Sequence, residues 1–238
     1  MKLLALETST EHLSVAACAG TRQAVREVAG GAQASFTLLP AIEAVLGELE
    51  LAVHDLDAIA FGQGPGAFTG LRTACAVAQG LALGSGVPLL PIDSLSQVAQ
   101  SVRTQLPTVR RVLVTLDARM AQVYWGALQW QEDHWHAVLE VAVSDPQAVH
   151  WPSGWQASDD TVVAGSWVSP EGDLRQQVLG PHAWHDARPT AQALLALAPT
   201  AWQRGLAVAP EDAAPFYVRN KVAQTTAERQ AQHPGGRA

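Results

Sequence analysis

Leu3-Leu4-Ala5-Leu6-Glu7-Thr8-Ser9-Thr10 opens the chain with a short apolar run closed by four polar residues, the pattern of a buried strand that ends in a turn. Leu13 to Ala19 and Gln23 to Val28 follow as further strand-like runs. From Thr37 to Glu50 the period changes. Leu38, Leu39, Ile42, Val45, Leu46 and Leu49 recur every three or four positions, which predicts a helix with Pro40 tolerated in its first turn. Asp57 to Gly62 reads as a buried strand feeding the glycine-rich loop Gly62 to Gly70, and a second helix is expected from Thr69 to Gly84. The first half is therefore βββαβα.

A fainter copy of the same order runs from residue 111 to 204. Strands are expected at Val112 to Leu116, Val123 to Trp130, Trp135 to Val143 and Thr161 to Ala164, with a short helix after Pro146 and a long one from Thr190 to Arg204. Between the copies, Asp93 to Gln105 reads as a helix capped by Asp93 or Ser94 and stopped before Pro107. The expected division is 1–106, 107–222 and a flexible tail 223–238, with Trp151 to Asp160 as surface loop and the last eight residues frayed.

Composition narrows the function. Of 238 residues, 48% are apolar and 16% charged, which excludes a disordered tail or a coiled coil. Fifteen Lys and Arg against 22 Asp and Glu leave a net charge of −7, which disfavours nucleic-acid binding by this chain alone. Cys18 and Cys75 make no disulfide framework, and the absence of a signal-like or 18-residue apolar stretch points to the cytoplasm.

Two motifs could carry chemistry. Glu7-Thr8-Ser9-Thr10 could hold a magnesium-bound phosphate, or could be a tight turn whose hydroxyls satisfy nearby backbone, and residue chemistry favours the turn. Gly64-Pro65-Gly66-Ala67-Phe68-Thr69-Gly70-Leu71-Arg72 sits at a strand-to-helix junction, where free N–H groups could receive an anion. It matches neither the P-loop nor GxGxxG, so a scaffold turn is again preferred. His134 with His136, and His182 with His185, lack metal-ligand spacing, and no GxSxG elbow supports a hydrolase. Tyr124, Trp125 and Trp130 read as packing rather than as a base-stacking platform. The helix after the glycine loop is apolar almost all round, and the preceding helix has a small-residue face of Ala41, Ala44 and Gly47. Such helices are either sandwiched within their own domain or covered by another subunit.

These segments, with Asp117-Ala118-Arg119, Val123-Tyr124-Trp125 and Pro215-Phe216-Tyr217-Val218-Arg219-Asn220, together resemble the bacterial TsaB (YeaZ) family over positions 3 to about 222. The resemblance implies a duplicated RNase H-like, actin-like fold and a non-catalytic paralogue of TsaD. It implies a role with TsaD, TsaE and TsaC in making N6-threonylcarbamoyladenosine at position 37 of tRNAs that read A-starting codons. On that reading tRNA is met only through the complex, no cofactor or metal is needed, and TsaD docks on the two helices of the first half. The interface implied is Ala41, Ala44, Val45, Gly47, Glu48, Thr73, Ala76, Val77 and Gly80, a surface that could also serve a homodimer.

The resemblance leaves Glu7, Thr8, Ser9 and Thr10 as a degenerate phosphate loop. Gly64, Pro65, Gly66, Phe68, Thr69, Gly70 and Arg72 form the family's motif loop. TsaD-like members carry metal-binding HxxxH histidines on the first long helix, whereas Thr37 to Glu50 has none. Glu7 stands where many relatives have Asp, its added methylene expected to push the carboxylate about 1.5 Å further into any phosphate site, and Val222-Ala223-Gln224 replaces a common Val-Ala-Trp. The alternative function is an ATP-dependent phosphotransferase or a glycoprotease-like peptidase acting alone.

Overall fold

The computed structural model describes residues 1–167, 180 and 182–219, so Asn220, the Val222-Ala223-Gln224 segment and the expected frayed tail lie outside the described residues. Strands β1 (Lys2–Glu7), β2 (His12–Ala19) and β3 (Arg22–Ala29) form an antiparallel meander. Helix α1 (Ala34–Glu48) then leads to β4 (Ala58–Gly64), α2 (Phe68–Ser85), β5 (Leu89–Asp93) and α3 (Ser94–Gln105). β4 runs parallel to β1, and β5 parallel to β4, giving the sheet order β3-β2-β1-β4-β5.

The second half repeats this wiring. Strands β6 (Arg111–Asp117), β7 (Val123–Gln131) and β8 (His134–Ser144) form the meander, and β9 (Thr161–Gly165) and β10 (Trp184–Asp186) add in parallel. Its order, read from the meander's end as β8-β7-β6-β9-β10, is that of the first sheet position for position. Helix α4 (Ala191–Gln203) closes the copy. Two equivalent five-stranded sheets of this wiring define a duplicated RNase H-like, actin-like fold.

Alternation of side chains along β1 explains the layering. Leu4 and Leu6 face α1 and α2, while Leu3 and Ala5 face α4, so the first sheet is sandwiched. Helix α3, though it follows β5 directly, packs Leu95, Val98, Ala99 and Val102 on Val112 and Val114 of the second sheet. α3 and α4 therefore cross between the halves. The boundary expected at 106/107 falls between the sheets, while each half borrows a helix from the other's side of it.

Two strands escape the sequence pattern, and one helix start moves. β5 contains Pro91 and follows Pro88, the composition of a non-strand; it forms because it is an edge strand, where one side needs no ladder hydrogen bonds. β10, only three residues, carries too short a pattern to see. Helix α1 begins at Ala34 rather than Thr37, which puts Pro40 inside the helix. The ring deprives the Phe36 carbonyl of its partner, on a face where Phe36 and Pro40 are exposed to water. The helix ends behave as expected elsewhere: the Asp93 carboxylate accepts the Ser96 N–H at 2.7 Å, Thr190 Oγ1 accepts from Ala193, and Gly86 closes α2 with φ +75°.

Candidate functional site

The glycine-rich loop is locked onto the β1–β2 turn. The Ala67 N–H donates to the Ser9 carbonyl at 2.8 Å and the Thr8 hydroxyl donates to the Gly70 carbonyl at 2.6 Å. A Cβ on Gly70 would stand 1.8 Å from the Thr8 carbonyl oxygen, and one on Gly66 would stand 2.6 Å from Ser9 Cβ. These glycines serve close backbone approach. At the cap of α2 the Ala67 N–H is thus taken by a carbonyl of the same chain.

Glu7, Thr8 and Ser9 are buried, but they do not converge on one site. Thr8, Ser9 and Thr10 line a cleft of about 880 Å³ between the halves, whereas Glu7 does not line it. Its Oε1 accepts the Ser9 N–H at 2.6 Å and its Oε2 lies against Gly62, where a Cβ would be 2.0 Å away. The extra methylene was expected to push the carboxylate further into a phosphate site. Instead the side chain turns with Leu3 and Ala5 into the interior, because a strand's alternation places residue 7 on their face. Burial pushes the Glu7 carboxyl above the ordinary carboxylate range, opposed by hydrogen bonds from Ser9, Gln97 and Thr8.

Cations in the cleft are already paired. Arg119 binds Glu11 across it and also lies 3.5 Å from Asp117, and Arg188 reaches Glu27 at 3.1 Å. Arg219 donates to the Ala118 carbonyl at 3.1 Å and to Gln122 Oε1 at 2.6 Å.

The C-terminal motif is the motif loop's clamp. Phe216 N–H donates to the Gln63 carbonyl at 2.8 Å, and Gln79 donates to the Pro210 and Ala213 carbonyls at 2.9 and 3.1 Å. Arg72 stacks 3.9 Å above the Phe68 ring and donates to the Tyr217 hydroxyl at 3.0 Å, with the two rings 5.2 Å apart. Residues 150 positions apart in sequence thus share one junction, which accounts for their appearing as a set.

The helices of the first half present the other candidate surface. Their inner ladders, Leu38, Ile42 and Val45 on α1 and Leu71, Ala74, Cys75 and Ala78 on α2, are buried on the first sheet. Their outer ladders are open: Phe36, Leu39, Glu43, Ala44 and Gly47 on α1, and Thr69, Arg72, Ala76, Gly80 and Leu83 on α2. Phe36 is 80% exposed and Leu83 71%. A Cβ added at Gly47, Gly80 or Gly84 meets nothing within 4 Å.

Of the expected interface, Ala44, Gly47, Ala76 and Gly80 lie on this open face, and Thr73 is partly exposed. Glu48 is exposed but held by Arg26 at 2.6 Å. Ala41 and Val45 do not belong to it, being 6% and 0% exposed against their own sheet. Val77 is half-buried on the same core. Phe36, Leu39 and Leu83 were missed as contact residues. Phe36 preceded the expected helix start. Leu39 could have been found, since Leu38 and Leu39 sit about 100° apart around the axis and cannot both face the sheet.

Among the described residues no group of three or more His, Cys, Asp or Glu is placed to hold a metal, and no helix is long and apolar enough to cross a membrane. His134 and His136 stack at 3.8 Å on β8, and His182 stacks at 3.7 Å on Trp151. Trp125 packs against His150, and Trp130 against Trp135, as side chains of the second half's core.

A paired-sheet fold with one helical face left bare defines a class of actin-like proteins in which docking, rather than the cleft, is the candidate activity. A family model described as "TsaD: tRNA N6-adenosine threonylcarbamoyltransferase" matches residues 31–169. The chain is 34% identical to the tRNA threonylcarbamoyladenosine biosynthesis protein TsaB of Escherichia coli strain K12, covering 94% of this chain and 96% of that one. It is 32% identical to the Haemophilus influenzae TsaB, covering 93% and 95%. The solved structure of YeaZ from Pseudomonas aeruginosa superposes with a TM-score of 0.80 at 38% identity, over 91% of this chain and 99% of that chain. This chain belongs to the TsaB (YeaZ) family.

Proposed function

We propose that the chain is a non-catalytic subunit that docks a TsaD-type threonylcarbamoyltransferase on the open face of α1 and α2. It thereby supports formation of N6-threonylcarbamoyladenosine at position 37 of tRNAs reading A-starting codons. The observation that carries the reading is the outer double ladder itself. Phe36, Leu39 and Leu83 stand exposed beside Ala44, Gly47, Ala76 and Gly80, large anchors among small residues that let a second pair of helices approach closely. TsaE joins this pair, TsaC acts upstream, and tRNA is met through the assembly in the cytoplasm.

The 1–106 half supplies the docking face and the 107–222 half supports it through the crossing helices. The same face serves a second copy of this chain when TsaD is absent, so homodimer and heterodimer exclude one another. The lone phosphotransferase or peptidase gains nothing from the geometry, since Glu7 is turned out of the cleft and the cleft arginines are held by carboxylates or carbonyls of the chain.

Reconstitution tests the reading. TsaC, TsaD and TsaE are combined with tRNA, threonine, bicarbonate and ATP, with and without this chain. Modification should appear on its addition. Equal modification without it, or ATP or peptide turnover by this chain alone, overturns the proposal.

A further inference from the structure

The charged residues of α1 and α2 are Glu43, Glu48 and Arg72. Arg26 holds Glu48 at 2.6 Å. Glu43 and Arg72 stand exposed on the open outer ladders, one on each helix, and among the described residues neither takes part in a salt bridge. Arg72 is nonetheless held still. Its guanidinium carbon lies 3.9 Å from the centre of the Phe68 ring, and Nε donates to the Tyr217 hydroxyl at 3.0 Å. Tyr217 is placed in turn by its ring contact with Phe68 at 5.2 Å and by the neighbouring bond from the Phe216 N–H to the Gln63 carbonyl at 2.8 Å. These contacts use one face of the guanidinium and one of its five N–H groups. Nη1 and Nη2 have no hydrogen-bond partner among the described residues. A stacked, tethered guanidinium with its fork free already has the shape that a carboxylate meets with two parallel bonds. Much of the ordering cost that makes most surface ion pairs weak is met before any partner arrives.

The fold brings a matching carboxylate into reach through symmetry. β3, β1, β4 and β5 run in one direction, and α1 returns from β3 to β4 as α2 returns from β4 to β5 on the same side of the sheet. The two helices therefore start at the same end of the sheet and run the same way. At 1.5 Å per residue, Arg72 lies about 6 Å from the start of α2 and Glu43 about 13 Å from the start of α1. A twofold axis perpendicular to the face reverses the helices of a second copy. Placed about 10 Å along, it sets Arg72 of one copy level with Glu43 of the other. That level is near the middle of both helices, close to Ala44 and Ala76, exposed small residues that let backbones approach. By symmetry the pair forms twice.

We infer that Arg72 is a preformed carboxylate receptor on the docking face, and that in a dimer of this chain it binds Glu43 of the second copy while its own Glu43 is bound in return. The inference rests on the reading of the α1–α2 face as the docking surface and adds the residues that set its register. Charge complementarity selects a second copy as the occupant, because the bare face carries one oriented cation and one unpaired anion and so complements itself. The apolar anchors Phe36, Leu39 and Leu83 supply attraction without direction, and the two reciprocal pairs fix which way round the copies meet.

Sedimentation of the full chain at low salt tests the pairing, with the wild type set against Glu43→Arg, Arg72→Glu and an equimolar mixture of the two variants. Alone, each variant opposes like charges twice and should self-associate at least about tenfold more weakly than the wild type. In the mixture each heterodimer keeps one native pair and gains one with the signs exchanged, so association should return to within about threefold of the wild type. Association that neither variant weakens, weakening that mixing does not relieve, or a wild type that stays monomeric overturns the pairing. Should Arg72→Glu fail to fold, the exposed Glu43 decides alone: Glu43→Gln should weaken the dimer and Glu43→Arg weaken it further, and wild-type affinity in both overturns the pairing. Leu83→Ala, run alongside, separates the pairing from the face that carries it. A dimer weakened by Leu83→Ala but indifferent to the charge variants overturns the pairing alone, whereas a dimer indifferent to all of them overturns the docking face as well.

Discussion

Leu83→Ala isolates the docking face, because the side chain is 71% exposed in the free chain and contributes little to its own fold. Fully burying a leucine is worth about 1.5–3 kcal/mol. Taking the exposed share of that, a partner covering Leu83 gains about 1–2 kcal/mol from it. At about 1.4 kcal/mol per tenfold, the dissociation constant should rise about 5- to 30-fold. Phe36→Ala, at a position 80% exposed, should cost at least as much. Isothermal titration of the TsaD-type partner reads both, and the thermal midpoint of each free variant should stay within a degree or two of the wild type. Dissociation constants within twofold of wild type for both variants would remove the α1–α2 face as the docking surface. Val77→Glu is a poor probe: Val77 packs on the core, so a charge there would unsettle the fold and confuse the readout.

Other perturbations probe the same construction. Ala44→Arg places a charge on the open ladder and should abolish co-purification with the partner at unchanged stability, whereas retained complex would contradict the surface. Gly80→Ala has free space around it and sits inside a helix, so it should stabilise the free chain by about 1 kcal/mol while weakening the complex, by denaturation and titration respectively. Gly70→Ala drives a methyl into the Thr8 carbonyl and should cost about 3 kcal/mol or more; an unchanged urea midpoint would show that the turn can yield. Tyr217→Phe removes the hydroxyl that receives Arg72 and should cost about 0.5–1 kcal/mol, with no loss arguing that the clamp is held by stacking alone.

Much of this architecture is legible in one dimension, because period and punctuation are local. The alternation of β1, the three-to-four spacing of Leu38 to Leu49, and the caps at Asp93 and Thr190 depend on neighbours a few residues away. Even the pairing of the glycine loop with the C-terminal motif could be suspected from their joint presence. Its cause, the bond from Phe216 to Gln63 and the grip of Tyr217 on Arg72, could not. β5 escaped because prolines silence a strand signal that only edge position excuses, and that position is a property of the finished sheet.

The chain alone determined that there are two copies of one pattern, that the first half's helices are too apolar for an ordinary surface, and which family the motifs resemble. Only the tertiary structure decided which face of those helices stays bare. Periodicity marks a stripe but cannot say how far around the axis the sheet reaches, so Ala41 and Val45 went inward while Phe36 and Leu83 stayed out. The same holds for Glu7. Its place at a strand's end suggested a ligand, and its burial against Gly62 and Gln97, set by residues 55 and 90 positions away, made it part of the interior. Long-range packing chooses between such roles because desolvation depends on everything that surrounds a group, and sequence records only what precedes and follows it.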